Sequence, residues 1–286
     1  MIWVILSILA GLGDAITFAY IKGLHKLNTT VKIALYSLIT LPFLLFGFLF
    51  YEIPVVSFKF YIVVIINVFV WIVGIFLLMK SLEESDLSIS IPMLSFTPIF
   101  LLFVSYILLR EFPSLQGLAG IFIVVVGSYI LNISSVKSGF FEPLKSIFKN
   151  KGVFYMLIVA FLFSVTASLS KSGINLSNPA YFIFIHYLFA SIILLVLFFR
   201  KFKKDIKQIK KNSGYFFIIG VAVAFSEIMT ATAFKLEIVP YVISLKRTSV
   251  IFSVLIGYLF LKEKNFKHAI IGSVIMFIGA VLITLS

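Results

Sequence analysis

Long apolar runs separated by short polar segments make up almost all of this 286-residue chain. Each run has close to the roughly 20 residues that a helix needs to cross about 30 Å of hydrocarbon. None shows the alternation of apolar and polar positions that is typical of membrane β-strands. We therefore predict an all-α polytopic membrane protein with ten transmembrane helices. The predicted helices cover residues 2–21, 31–50, 60–80, 87–109, 115–133, 152–171, 180–199, 214–235, 239–261 and 267–285.

The composition is that of a chain folded in lipid. Hydrophobic residues make up 62% of the sequence and charged residues only 12%, whereas a soluble domain needs more polar residues to cover its surface. The chain has no cysteine and three scattered histidines, so we expect no metal site and no cofactor. No basic segment or cleavage motif accompanies the first apolar run, which is therefore expected to remain as a helix.

The net charge of +13 lies mostly between the apolar runs, which favours membrane topology over nucleic-acid binding as its cause. The odd-numbered connections carry 18 Lys and Arg residues and the even-numbered ones only four. The positive-inside rule then places the odd connections in the cytoplasm and both termini outside. Seven of these basic residues lie in 200–211. We expect a solvated basic loop there, with binding of anionic lipid head groups as the alternative.

The chain contains a tandem repeat. Arg110-Glu111 ends the fourth apolar run, and Lys262-Glu263 ends the ninth run 152 residues later. Residues 1–133 and 152–286 thus form two five-helix copies, and 134–151 is the linker between them. Because five is an odd number, the copies should enter the membrane from opposite faces. Such an inverted repeat is a recurrent construction in secondary transporters.

Small residues and prolines add local predictions. Two glycines seven residues apart lie on one face of the last helix in each copy, where they allow close helix packing. These glycines are Gly120 and Gly127 in the first copy, and Gly272 and Gly279 in the second. Pro92 and Pro98 remove backbone donors from the fourth run, so we expect a kink there.

The segments Ile91–Leu131 and Tyr241–Ile283 resemble the end of an EamA-type repeat of the drug/metabolite transporter superfamily. They share the basic–Glu pair after the fourth helix of a copy and the glycine-containing fifth helix. Helix number, length and duplication extend the resemblance over essentially the whole chain. The resemblance implies a ten-helix secondary transporter of small metabolites that alternates between inward- and outward-facing states. It also implies cytoplasmic termini, so the loop charges and the resemblance leave the orientation open.

Four charged residues lie inside predicted helices, where burial of a charge costs about 2.5–3.5 kcal/mol and points to function. They are Asp14, Glu227, Lys246 and Arg247. Glu227 and the two bases lie at about the same depth, so an ion pair between Glu227 and one of them is geometrically possible. We predict that Arg247 faces the substrate, because its planar fork suits carboxylate or phosphate. The alternative is that salt bridges lock both bases and only hold helices together.

Other residues in the predicted helices are candidates for coupling or binding. Asp14 and Glu227 are the candidates for proton or cation coupling, and Asp14 has no partner that the sequence reveals. His186 titrates near neutral pH and is a candidate substrate ligand, with a hydrogen-bonded interior position as the alternative. Lys22 and Lys171 end the first helices of the two copies and are expected to snorkel to the interface.

Aromatic residues near these polar positions complete the predicted substrate site. Aromatics make up 17% of the chain, and most of them must pack against other helices or face lipid. Tyr36, Trp71, Tyr187 and Tyr241 are candidates to line the cavity, with plain packing or an interfacial belt as the alternative. Of these four, Tyr36, Trp71 and Tyr187 are predicted to contact substrate together with the charged residues and His186.

Motifs of ATP hydrolysis and of hydrolases are absent from the sequence, so we predict a protein that is not an enzyme. The predicted function is a permease or exporter of small organic metabolites, such as amino acids or related carboxylates, in the cell membrane. The expected partners are a small-molecule substrate, the lipid bilayer and a coupling proton or cation, without nucleic acid. A monomer and a homodimer both stay open. The alternatives are a channel and a membrane enzyme or accessory protein that handles lipid head groups.

Overall fold

The computed structural model describes residues 1–22, 29–85, 90–133, 141–247, 251–252 and 266–286. All regular structure within these ranges is helical, as the sequence predicts. Six stretches in the described ranges are long and apolar enough to cross a membrane, and three shorter apolar helices accompany them. The chain is therefore a polytopic membrane protein.

The described residues of the first half form five main α-helices, two of which are extended by 3-10 helices. They are α1 (Ile2–Lys22), α2 (Thr29–Leu44, continued by a 3-10 helix over Leu45–Leu49), α3 (Phe58–Glu84), α4 (Thr97–Leu109, preceded by a 3-10 helix over Ile91–Phe96) and α5 (Leu115–Ile133). A change from 3-10 to α-helix before Thr97 interrupts the fourth run where we expected a kink. It lies between Pro92 and Pro98, which cannot donate the backbone hydrogen bonds of a continuous α-helix.

The second half follows a single-turn helix at Glu142–Ser146. Its helices are α6 (Lys151–Asn175), α7 (Pro179–Lys211), α8 (Ser213–Leu236), α9 (Val239–Lys246) and α10 (Phe266–Thr284). Beyond α9 the structure describes only Arg247 and residues 251–252 of the predicted ninth helix. The Lys262-Glu263 pair and linker residues 134–140 lie outside the described residues.

The basic stretch 200–211 is not the loop that we expected. It continues α7 as helix to Lys211, past a departure from helical geometry at Phe198, where φ is −117° and ψ is 15°. The length of apolar sequence sets how much of a helix lies in lipid, but a polar, lysine-rich segment is also a good helix former. The helix therefore does not end where its hydrophobic part ends.

The glycine pairs hold α5 and α10 together, as predicted. A Cβ atom on Gly120 would lie only 2.8 Å from the carbonyl oxygen of Gly279, and one on Gly127 would lie 2.8 Å from that of Gly272. Any side chain at these positions would push the two backbones apart. This approach brings the last helix of each half into direct van der Waals contact, which is the main source of helix association in lipid.

The main helix contacts form a paired pattern. The contact of α1 with α8 has its counterpart in that of α6 with α3, and the contact of α2 with α8 has its counterpart in that of α7 with α3. The contact of α4 with α6 likewise corresponds to that of α9 with α1. Three further contacts, α5 with α10, α2 with α7 and α4 with α9, map onto themselves when the halves are exchanged. The two halves therefore use equivalent surfaces toward each other.

Candidate functional site

The centre of the candidate site is an ion pair between the two halves. The ammonium group of Lys246, at the end of α9, lies 3.3 Å from the Oδ2 atom of Asp14, in the middle of α1. Their side chains are 13% and 28% exposed, respectively, so the carboxylate stays partly accessible. No partner for Asp14 was evident from the sequence, because helix packing brings together residues that are far apart in the chain.

Ser226 on α8 fixes the other oxygen of Asp14 and was not predicted. Its hydroxyl oxygen lies 2.5 Å from Asp14 Oδ1 and 2.9 Å from the carbonyl oxygen of Ala10. The approach of α1 to α8 depends on Gly13, where a Cβ atom would lie 2.9 Å from the carbonyl oxygen of Ala222. A glycine immediately before a membrane-embedded Asp was the available sequence signal for this close helix contact.

Glu227 lies next to this pair and extends it toward two tyrosines. Its carboxyl group interacts electrostatically with Lys246 and Asp14, and it interacts with Tyr187 on α7. The hydroxyl oxygen of Tyr187 is 3.5 Å from that of Tyr36 on α2, and their rings are 6.2 Å apart. The structure thus places an acid and two phenol groups beside the Asp14–Lys246 pair.

Arg247 is only partly satisfied by protein groups. Its Nη2 atom donates a 2.9 Å hydrogen bond to the hydroxyl of Thr97, the first residue of α4. Its Nε atom is buried and has no hydrogen-bond partner among the described residues. Thr97, which the sequence did not suggest, in turn donates to the carbonyl oxygen of Leu94 at 2.7 Å. The guanidinium group is therefore tied to the 3-10/α junction of α4, and its Nε donor finds no acceptor within the ranges that the structure describes.

His186 and Trp71 adjoin the site through aromatic packing. The His186 ring contacts Tyr187 at 5.5 Å and Trp71 at 5.7 Å, both edge to face. His186 is 8% exposed, and its Nδ1 atom has no hydrogen-bond partner in the described part of the chain. His186 therefore packs between the rings of Trp71 and Tyr187.

Two other residues have surroundings that differ from the predictions. Tyr241 is held by packing against Trp3, at 6.2 Å between ring centroids, and its hydroxyl accepts a 3.0 Å hydrogen bond from the backbone N–H of Ser114. It therefore fixes helix ends and does not line the charged site. Lys171 does not snorkel to the interface: it is 8% exposed and contacts Glu111. The side chain of Lys22 lies outside what the structure describes.

The candidate site groups charges of both signs. Asp14, Glu227, Lys246 and Arg247 bring two acids and two bases together, so the group is neutral when all four are ionised. In the described ranges no three His, Cys, Asp or Glu side chains are grouped so that they could hold a metal ion. Recognition at this site would rest on charge pairing and hydrogen bonds.

Comparisons with known proteins agree with this architecture. One solved crystal structure is similar to the chain with a TM-score of 0.75, over 99% of this chain and 97% of that chain, at 12% sequence identity. At that identity the similarity shows the fold alone. No curated protein matches the chain. The model of the EamA-like transporter family matches residues 1–133 and again residues 150–285. The chain therefore belongs to the EamA-like transporter family.

Proposed function

We propose that this protein is a secondary transporter of small organic carboxylates, with amino acids as the best-fitting class, and that it acts in the cell membrane. Its two halves, residues 1–133 and 152–286 joined by 134–151, would be inverted copies that alternate access to a central site. The two family matches and the paired helix contacts support this arrangement. An inverted repeat provides two equivalent conformations through which a central site opens to either side.

The observation that carries the proposal is the incomplete pairing of the charged group. Arg247 has a buried Nε donor without a partner in the described part of the chain, and Asp14 is 28% exposed although it contacts Lys246. Buried donors are nearly always satisfied in folded proteins. A substrate carboxylate would satisfy the Arg247 fork with two charge-assisted hydrogen bonds.

The two acids, Asp14 and Glu227, would bind the other end of an amino-acid substrate. A substrate ammonium group would compete with Lys246 for Asp14, and Glu227 would lie close enough to stabilise it. Tyr187 and Tyr36 would bound this end of the pocket, with Trp71 and His186 behind them. A proton on Asp14 would remove the partner of Lys246, so protonation and substrate binding would be coupled at one carboxylate. Asp14 and Glu227 are therefore the proposed coupling residues.

Counterflow in proteoliposomes tests the proposal. Vesicles preloaded with a mixture of amino acids and small carboxylates would be diluted into each radiolabelled compound in turn, with an internal pH dye. We expect saturable, transient accumulation for at least one compound, together with a pH change that is lost in Asp14→Asn. Linear uptake without counterflow would contradict a carrier and indicate a channel, and no uptake of any compound would contradict the substrate class.

A further inference from the structure

A second buried ion pair lies outside the candidate site, where α4 ends. Arg110 terminates α4 in the left-handed conformation, with φ of 60° and ψ of 27°, which is costly for a residue other than glycine. Its own side chain stays exposed above the Tyr106 ring. This turn directs the next residue, Glu111, toward the second half of the molecule, where its carboxylate contacts the ammonium group of Lys171 on α6.

Each partner of this pair also binds the backbone where α8 is joined to α9. Lys171 donates to the carbonyl oxygen of Glu237 at 2.7 Å, and the other oxygen of Glu111 accepts from the backbone N–H of Val239 at 3.0 Å. The pair therefore ties the end of α4 to α6 and to the first residue of α9. Because Glu111 belongs to the first half and its two partners, Lys171 and Val239, belong to the second, both Glu111 contacts join the two halves. The bond from Lys171 to Glu237 lies within the second half and holds the lysine in place.

The pair lies on the path from the candidate site to one membrane face. Val239 begins α9 and Lys246 ends it, so the pair is about 10 Å from the site at 1.5 Å per residue. Other bonds between the halves lie near the same face. Asn178 donates to the carbonyl oxygen of Glu52 at 2.7 Å, and the Tyr51 hydroxyl is 3.3 Å from that of Thr232. Polar contacts therefore join the two halves at this face.

An ion pair is suited to a contact that must break and re-form, because breaking it costs little net free energy. A buried pair contributes little net stability, because its attraction is offset by the lost hydration of both charges. If the face opens, water hydrates both charges again and returns much of that lost free energy. An apolar seam has no such compensation, since its opening only exposes hydrophobic surface. The closed and open states of a polar closure can therefore have similar free energies.

From these contacts we infer that Glu111 and Lys171 form a gate, which must break for the candidate site to open toward their face of the membrane. The inference rests on the proposed transport function. The remaining inter-half bonds at this face would separate with it. Loss of one charge would leave the other unpaired unless the face opens to water, so single neutral substitutions would shift the molecule toward the open state.

Cysteine accessibility tests the gate directly, since the natural chain has no cysteine. The reporter is Ile243→Cys, on α9 one turn before Arg247, labelled in sealed vesicles by a membrane-impermeant methanethiosulfonate. Val55→Cys, at an exposed position between α2 and α3, identifies vesicles whose Glu111 face is accessible to the reagent. Lys211→Cys, at the end of α7, should label only after permeabilisation and so reports leaks.

We expect the labelling rate of Ile243→Cys to rise about tenfold or more when Glu111→Gln or Lys171→Gln is added, which corresponds to about 1.4 kcal/mol. The conservative Lys171→Arg should stay close to the parent rate. Lys235→Gln, at an exposed lysine near the end of α8, is the matched control and should change nothing. Size-exclusion profiles verify folding. If Lys171→Gln does not fold, Glu111→Gln alone tests the gate.

Equal labelling rates in the parent and both neutral variants would overturn the gate. So would a rise of the same size in Lys235→Gln. The measurement uses no substrate, so it can fail while counterflow still supports transport. Conversely, absence of counterflow would reject the transport proposal without changing the labelling result.

Discussion

The molecule contains two lysine–carboxylate pairs that join its halves, and their surroundings differ. In both pairs the acid comes from the first half and the lysine from the second. Glu111 and Lys171 are 15% and 10% exposed and each has an additional backbone partner. In the other pair, Asp14 is 28% exposed and lies 3.3 Å from Lys246. The same lysine–carboxylate chemistry is therefore more fully satisfied by protein groups in the Glu111–Lys171 pair than in the Asp14–Lys246 pair.

The more exposed pair, Asp14–Lys246, also has further charged side chains near it. Arg247 and Glu227 adjoin Asp14 and Lys246, whereas the described surroundings of Glu111 and Lys171 supply backbone groups. A ligand that enters the more exposed pair finds both signs of charge within reach. A ligand at the Glu111–Lys171 pair would first have to displace the hydrogen bonds that the pair makes with the backbone. From this difference we propose binding at the Asp14–Lys246 pair and gating at the Glu111–Lys171 pair.

The largest effect on substrate binding is expected at Arg247, which lies beside the Asp14–Lys246 pair. Arg247→Gln removes the charged fork, and loss of a charge-assisted hydrogen bond costs about 1.5–3 kcal/mol, or roughly 10- to 150-fold in binding. Arg247→Lys keeps the positive charge and should therefore reduce the affinity for substrate by a smaller factor. Concentration-dependent uptake of the compound identified by counterflow measures both. Unchanged half-saturation in Arg247→Gln would remove Arg247 from the site.

The next effect concerns the Glu111–Lys171 pair. The combined change Glu111→Leu and Lys171→Met replaces the pair with apolar groups of similar size, which is often neutral or stabilising. We expect the melting temperature to stay within about 4 °C of the parent, a shift of roughly 1–2 kcal/mol at this chain length. We expect turnover to fall about tenfold or more, because the closed face can no longer gain hydration on opening.

Turnover and melting temperature, measured on the same preparation of the double variant, decide this prediction. Parent-like turnover would mean that the pair is only structural. Strong destabilisation with loss of turnover would mean that the pair is needed for folding, and would also contradict a gating role.

The smallest effect is expected at Thr97, which holds the Arg247 guanidinium group. Thr97→Val removes the hydroxyl and keeps the side-chain shape, so KM should rise several-fold through loss of one hydrogen bond. Thr97→Ser should restore the parent KM, since it keeps the hydroxyl. If Thr97→Val and Thr97→Ser have the same KM, Thr97 does not position Arg247.

Local sequence signals predicted much of the fold. The spacing of Gly120 and Gly127 predicted a close helix contact, and the partner glycines in α10 complete it. Pro92 and Pro98 predicted the interruption before α4. These predictions succeeded because backbone donors and side-chain volume are properties of the residue itself. The helical end of α7 was missed because hydropathy measures residence in lipid and does not measure helix formation.

The pairing of charges could not be predicted in the same way. Asp14 and Lys246 come from opposite ends of the chain, and only the packing of α1 against α8 and α9 joins them. Lys171 looked like a snorkelling residue because the apolar run ends there, but α6 continues to Asn175. Burial of that lysine depends on Glu111, which another helix connection supplies.

The most direct test of the central claim is ligand-induced stabilisation of the purified protein. Amino acids and small carboxylates would be added one at a time, and the melting temperature measured for the parent, Asp14→Asn and Lys235→Gln. A ligand at 100 times its Kd stabilises the folded state by about 2.7 kcal/mol. An active compound should raise the melting temperature of the parent and of Lys235→Gln but not that of Asp14→Asn. An equal rise in Asp14→Asn would contradict the proposed binding at Asp14.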